Sequence, residues 1–96
     1  MADHTIHIDY DGKNWSINPP HLHYVKAKHT IDWKTNTPKS DIEIAFRDTV
    51  VKPSQFRVPK TTQVIDNPTN GEHSYDVTAD GKPVTDGRGA PGIIIE

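Results

Sequence analysis

Short runs of alternating apolar and polar residues limit what this chain can fold into more than any other feature of its sequence. The run HTIHIDY, residues 4–10, places Ile6, Ile8 and Tyr10 on one face, because successive side chains of a β-strand point to opposite faces. No window with helical periodicity extends beyond one turn. The pattern therefore predicts an all-β chain. Similar runs are HTIDWKT, DIEIAF, TTQVI and HSYDVTA.

Turn signals separate these runs. Asp-Gly pairs at 11–12 and 80–81 suit tight reversals, and the consecutive prolines Pro19 and Pro20 donate no backbone hydrogen bonds to a ladder. Residues 47–60 have two prolines and no clean period, which predicts a long crossing connection with a short turn or strand inside it. Together the signals predict seven or eight short strands in an antiparallel or Greek-key β-sandwich.

The length of the chain sets the size of the core. Ninety-six residues make one domain, which we assign to 1–96, and a domain of this size holds one core. Apolar residues are only 32 % of the sequence, but they are grouped in the strand-like runs, which favours a thin sandwich core over a disordered chain. The residues that we expect to meet between the two sheets include Ile31, Trp33, Ile42, Ile44 and Ile94.

Two further segments carry specific expectations. The run HLHYVKA, 21–27, is predicted to be extended, with Leu22 and Tyr24 on one side. The terminal run IIIE is apolar on both faces. We expect it to lie inside a sheet, because a bare apolar edge invites aggregation.

Composition excludes several classes of function. The sequence has no cysteine, which removes disulfides, thiol catalysis and thiolate-bound copper together. The net charge of −2 argues against a nucleic-acid binder. Between Tyr24 and Lys60, however, eight Lys and Arg face four acids, which is either a basic patch for an anionic partner or a set of solvated strand faces.

The location of the chain is inferred from its apolar runs. None approaches the length of a membrane span, so no membrane association is expected. The start MADHTIHIDY has neither the basic nor the apolar region of a signal peptide. The sequence as written is expected to be cytoplasmic, or periplasmic or secreted if a leader has been removed.

The order of the segments resembles the cupredoxin family, the plastocyanin- and azurin-like copper sandwiches. The opening IHIDYDGKNW is similar to that family's first strand, glycine turn and aromatic, and NPPHLHYVKAKHTIDW to its following extended segment. NTPKSDIEIAF stands where the family has a polar loop and a strand, and YDVTADGKPVTDGRGAPGIIIE resembles the family's ending. The resemblance implies a cupredoxin-like β-sandwich.

The departures from the family concern the copper ligands. Asp41 stands at the place of the first histidine, and Ala79 or Thr78 at the place of the cysteine. The segment from Asp80 to Gly92 contains neither histidine nor methionine. A blue-copper centre needs a thiolate and two imidazoles. The resemblance therefore implies the fold without the family's copper site, and we expect no cofactor and no enzymatic activity.

Histidines provide an alternative function. His21 and His23 are two residues apart, so on a strand both point to one face and can share an ion with a carboxylate. The alternative is a metal-handling protein that binds Cu(II) or Zn(II) through surface histidines. The plainer interpretation is that they are exposed strand or loop residues.

Aromatic residues suggest a second alternative. The spacing of Trp33 predicts a core residue, whereas Trp15 follows a turn and can present its ring near Tyr10 and His21. Sandwich domains that bind sugars use exposed aromatic rings. A small carbohydrate-binding β-sandwich is therefore the second alternative.

The leading hypothesis is a non-catalytic module that binds another protein or serves a structural role. The sequence has no nucleophile elbow and no phosphate loop, and its paired acids stand at turn or solvent positions. Binding residues usually lie on irregular loops of a rigid scaffold. We therefore expect contacts from NPPHLH and TDGRGAPG, with His21, His23 and Arg88 as candidate binding residues.

Overall fold

The computed structural model describes residues 2–37, 39–84 and 91–96. Within these ranges the chain forms eleven strands and no helix, so none of the described residues belongs to a helix that could cross a membrane. The strands are β1 His4–Tyr10, β2 Trp15–Asn18, β3 His21–Val25, β4 Thr30–Lys34, β5 Ile42–Phe46, β6 Val51–Lys52, β7 Gln55–Arg57, β8 Lys60–Val64, β9 Gly71–Ala79, β10 Lys82–Pro83 and β11 Gly92–Ile95.

The strands form two sheets with the core between them, which confirms the predicted β-sandwich. The first sheet has the order β2-β1-β4-β8-β6. The second has the order β3-β11-β9-β5-β7, with β10 paired to β9. The described residues give eleven strands instead of seven or eight, because β6, β7 and β10 have only two or three residues, too few to show alternation.

Both sheets are mixed. β1 pairs with β4 in parallel, and β3 pairs with β11 in parallel, while the other pairs are antiparallel. The prediction of antiparallel pairing is wrong for these two pairs. Alternation shows which face of a strand is buried but not which neighbour the strand has or how the two run.

Aromatic rings fill the centre of the core. Trp33 is 1 % exposed, as predicted, and meets the ring of Tyr75 edge-on at 5.1 Å between centroids. Phe46 makes a second edge-on contact with Trp33 at 5.9 Å. The indole Nε1–H donates to the hydroxyl of buried Thr62 at 2.9 Å, so the one polar atom of the ring is satisfied.

The C-terminal strand lies inside the second sheet, between β3 and β9, as predicted. Ile93 is fully buried and Ile95 is 3 % exposed, whereas Ile94 is half-buried. The expectation that Ile94 points into the core is therefore wrong. In an entirely apolar run no polar residue marks the solvent face, so the sequence did not show which face of the strand would meet the other sheet.

Residues 47–60 form the predicted crossing connection. β6 is an edge strand of the first sheet and β7 is an edge strand of the second. The segment therefore passes from one sheet to the other within a few residues. Val50 and Val51, both buried, anchor its first half in the core.

Candidate functional site

One end of the sandwich contains the positions where the resemblance placed copper ligands. The backbone N–H of Asp41 donates to Asp80 Oδ1, and the N–H of Asp80 donates to the carbonyl of Asp41, both at 2.9 Å. The Asp41 carboxylate lies 3.3 Å from Arg57 Nε, and Ala79 is buried in the core cluster. Two hydrogen bonds, one to a side-chain oxygen and one between backbone groups, thus join the segment before β5 to the segment after β9, and the ion pair joins Asp41 to β7.

Two aromatic rings lie at the same end. Tyr10 and Trp15 are partners in the β1–β2 pair, with ring centroids 4.9 Å apart and planes tilted by 36°. Trp15 packs against the core, and Tyr10 is 36 % exposed. They border a cavity of about 310 Å³ whose other lining residues are Ser40, Ala79, Asp80, Lys82, Pro83 and Val84. We call this site the aromatic end.

The turn between β1 and β2 holds the aromatic end in place. Asp11 Oδ1 accepts hydrogen bonds from the N–H groups of Lys13 at 2.8 Å and Asn14 at 2.7 Å. Both bonds lower the pKa of Asp11, and the bond from Asn14 has the larger effect. The side chain of Asn36 also bonds both backbone groups of Tyr10. The ring of Tyr10 therefore projects from a turn that is fixed on both sides.

Strand β3 also presents an exposed aromatic side chain, that of Tyr24. Leu22 pairs with Ile93 and Val25 with Ile95, so two residues of β3 lie opposite one residue of β11. This bulge gives Tyr24 a φ of 61° and turns its ring outward, 72 % exposed. The expectation that Tyr24 shares the inner face with Leu22 is therefore wrong, and Val25 fills the core instead.

The predicted histidine pair lies on the outer face of β3. His21 Nδ1 is 3.7 Å from Glu72 Oε2, and the ring of His23 is 6.1 Å from that of Tyr24. Across the described residues, no three His, Cys, Asp or Glu side chains form a group that could hold a metal ion. The role of His21 and His23 in binding remains a prediction.

The described end of the second segment predicted to make contacts, residues 91 and 92, lies beside the first. Gly92 N–H donates to the carbonyl of Pro20 at 3.0 Å, which joins the start of β11 to the NPPHLH segment. Tyr75 N–H donates to the carbonyl of Pro91, also at 3.0 Å. Arg88 and the rest of 85–90 lie outside the described residues.

A histidine pair that the sequence did not indicate joins β1 to the start of β4. His4 Nε2 lies 2.9 Å from His29 Nδ1. Since that Nδ1 also accepts from the N–H of Lys26, His4 is the donor. Burial lowers the pKa of His4, the nearby His29 lowers it further, and Asp3 partly opposes both effects. The pair is 25 residues apart in sequence, so no spacing pattern reveals it.

Acid is expected to weaken the fold through His4. Because the pKa of His4 is lower in the folded chain, the unfolded chain binds the proton more readily. The stability that neutral His4 contributes is therefore complete above the unfolded pKa of about 6.5 and is lost as pH falls through the lower folded value. Denaturant unfolding at several pH values should show a smaller loss of stability below about pH 6.5 in His4→Gln than in wild type. Equal losses in the two proteins would contradict this assignment.

The buried ring of His73 pairs with the exposed carboxylate of Asp48. Its Nδ1 lies 3.2 Å from Asp48 Oδ2, and its Nε2 lies 2.6 Å from the carbonyl of Thr69. The ring is 7 % exposed and borders a cavity of about 300 Å³. Acid–base catalysis needs a ring nitrogen within reach of a substrate. Both nitrogens of His73 already have protein partners, so the pair ties β9 to two loops.

Solved structures share this arrangement of sheets. No family model matches the chain, and no curated protein matches it. The structural match to a reduced Cu(I) form of an amicyanin variant covers 100 % of this chain and 86 % of the amicyanin chain, with a TM-score of 0.53 and 17 % sequence identity. A second reduced variant and an oxidised variant of amicyanin have the same coverage, TM-scores of 0.52, and identities of 17 % and 18 %. The chain therefore has a cupredoxin-like fold, similar to that of amicyanin, in a sequence without cysteine.

Proposed function

We propose that this chain is a non-catalytic binding domain on a cupredoxin-like fold, and that it recognises a protein partner through strand β3. The recognition surface, which we call the β3 patch, consists of His21, His23, Tyr24 and Lys26. The observation that carries the proposal is the exposure of Tyr24, a large aromatic side chain that is 72 % accessible on an edge strand.

The backbone of Tyr24 supports a role beyond packing. A non-glycine residue with φ of 61° is uncommon, and for a bulky residue the left-handed region costs about 1–2 kcal/mol. The bulge uses this conformation to direct the ring into solvent, where it is 72 % exposed. Strained residues of this kind occur preferentially at functional sites. Tyrosines that become buried when a partner binds are also among the residues that contribute most to binding energy at protein interfaces.

The bulge also indicates the mode of binding. An edge strand can pair with a strand of another protein, but a bulge disrupts the ladder and twists the edge. We therefore expect the β3 patch to bind through its side chains, with the Tyr24 ring inserted into a pocket of the partner.

Charge indicates the chemistry of the partner. Lys26 is exposed immediately after β3, and it belongs to the part of the chain between Tyr24 and Lys60 that has eight Lys and Arg and four acids. A partner with acidic groups around an apolar pocket would complement this surface. The bond between Gly92 and Pro20 holds the preceding turn against β11, so the patch is presented on a rigid support.

Tyr24→Asn is the variant that tests the proposal. Asparagine tolerates a positive φ, so the fold is kept while the ring is removed. Immobilised wild-type chain would be used to capture proteins from a lysate of the source cells, and each captured protein would be purified and its affinity measured by calorimetry. We expect Tyr24→Asn to weaken binding by a factor of about 30 or more, which corresponds to the loss of a principal interface contact.

Tyr10→Phe is the matched control, since it alters the other exposed tyrosine and keeps its ring. It should bind the same purified partner as tightly as wild type. The proposal fails if Tyr24→Asn retains wild-type affinity for every partner, or if both tyrosine variants lose it equally.

A further inference from the structure

We propose that the aromatic end is a binding site for a sugar unit of a neutral oligosaccharide. This site is separate from the β3 patch and does not depend on it. It combines an aromatic platform, formed by the rings of Tyr10 and Trp15, with a cavity of about 310 Å³. The same cavity is lined by a carboxylate, that of Asp80, and an ammonium group, that of Lys82.

The platform is built before any ligand arrives. The rings of Tyr10 and Trp15 lie 4.9 Å apart with their planes tilted by 36°, and Trp15 is half-buried against the core. Tyr10 is held further by its hydroxyl, which donates to the carbonyl of Gly12 at 3.0 Å. Binding to such a surface costs little side-chain entropy. The C–H face of a pyranose ring is apolar and flat enough to stack on an aromatic ring.

Polar groups that line the same cavity remain available. The Ser40 hydroxyl, the Lys82 ammonium and the second carboxylate oxygen of Asp80 have no hydrogen-bond partner among the described residues. Asp80 Oδ1 is used by the N–H of Asp41, which fixes the orientation of the carboxylate. A cavity with an apolar wall and a few oriented polar groups is the usual form of a small-ligand site.

The signs of the charges favour a neutral ligand. The Asp80 carboxylate repels an anion, and the Lys82 ammonium repels a cation. A hydroxyl group can donate to the first and accept from the second. A molecule with several hydroxyls and an apolar face, as in a neutral sugar, can therefore stack on the rings and bond to both charged groups.

The two tryptophans make a direct test possible. The folded chain, labelled with ¹⁵N, would be titrated with maltose, cellobiose, xylobiose and N,N′-diacetylchitobiose. We expect the indole N–H signal of Trp15 to shift with at least one of them, with a dissociation constant on the order of 1 mM or lower. The indole of Trp33 is bonded to Thr62 in the core and should not shift, so it reports that the fold is unchanged.

Variants assign the binding to the cavity. Asp80→Asn keeps the oxygen that accepts from Asp41 and tolerates the φ of 52° at this position, but removes the charge. It should weaken binding about tenfold, the effect of one hydrogen bond to a charged group. Tyr24→Asn should bind sugar as wild type does.

The negative outcomes are equally specific. Glycerol has hydroxyls but no ring to stack, and it should leave the Trp15 signal unchanged. The proposal is overturned if none of the four sugars shifts Trp15, if glycerol shifts it as strongly as the sugars, or if Asp80→Asn binds with unchanged affinity.

Discussion

Replacing Trp33 by alanine is expected to lower the free energy of unfolding by about 3–5 kcal/mol. The ring is 1 % exposed and contacts Phe46, Phe56 and Tyr75, with centroids 5.1–5.9 Å away. Removing it opens a cavity where the two sheets meet, and the surrounding rings can close it only in part. A domain of this size is stable by about 5–15 kcal/mol, so the variant loses much of its stability or unfolds. Urea unfolding followed by far-UV circular dichroism measures the change.

Trp33→Phe distinguishes the contribution of the hydrogen bond from that of the aromatic ring. Phenylalanine keeps an aromatic side chain in the core but removes the N–H that donates to Thr62, whose hydroxyl is then buried without that donor. We expect the unpaired Thr62 hydroxyl to lower the free energy of unfolding by about 1–3 kcal/mol. The smaller volume of phenylalanine lowers it further. Trp15→Phe is the control, because that ring is only half-buried, and it should cost less. A larger loss at Trp15 than at Trp33 would contradict the assignment of Trp33 as the centre of the core.

Replacing Gly92 by alanine is expected to cost about 1–3 kcal/mol, because it adds a methyl group where there is no room. A Cβ at this position would lie 2.9 Å from the carbonyl oxygen of His73 and 3.3 Å from Glu72 Cγ. Gly92 starts β11, which has neighbours on both sides, so the backbone cannot move away from β9 without straining its pairing with β3. Chemical denaturation of the variant beside wild type measures this loss.

Gly12 provides the contrast. Its φ is 101° and a Cβ there would meet nothing within 4 Å, so alanine is disfavoured by the backbone conformation alone. Asparagine tolerates positive φ better than alanine does, and should be the milder substitution at Gly12. At Gly92, asparagine is larger and should be worse than alanine. The same order of severity at both glycines would show that contact with His73 is not what Gly92 avoids.

Alternation in the sequence was sufficient to predict the sandwich and most of its core. Ile31, Trp33, Ile42 and Ile44 are all buried as predicted, because each stands in a run where polar neighbours mark the opposite face. The predicted burial was wrong where that contrast is missing. In the terminal run of isoleucines no polar residue marks a face, and Ile93 and Ile95 took the places expected for Ile94.

The sites were less accessible to prediction than the core. Trp15 was correctly placed near Tyr10, since a tight turn brings the two ends of a hairpin together, whereas its expected proximity to His21 stays a prediction. The charged lining residues of that cavity, Asp80 and Lys82, are about 70 residues further along the chain. Likewise, nothing in the sequence shows that Tyr24 leaves the inner face, because the bulge arises from the pairing of β3 with β11.

The sequence by itself determined that this protein is built from short strands around one core, and that it has no thiolate to bind copper. Both follow from local facts, the period of side chains along a strand and the presence or absence of a residue type. Only the tertiary structure decided which strands pair in parallel, which ring faces solvent at β3, and which polar groups face the aromatic end. Those features depend on contacts between residues far apart in the chain, and such contacts have no spacing that a single sequence displays.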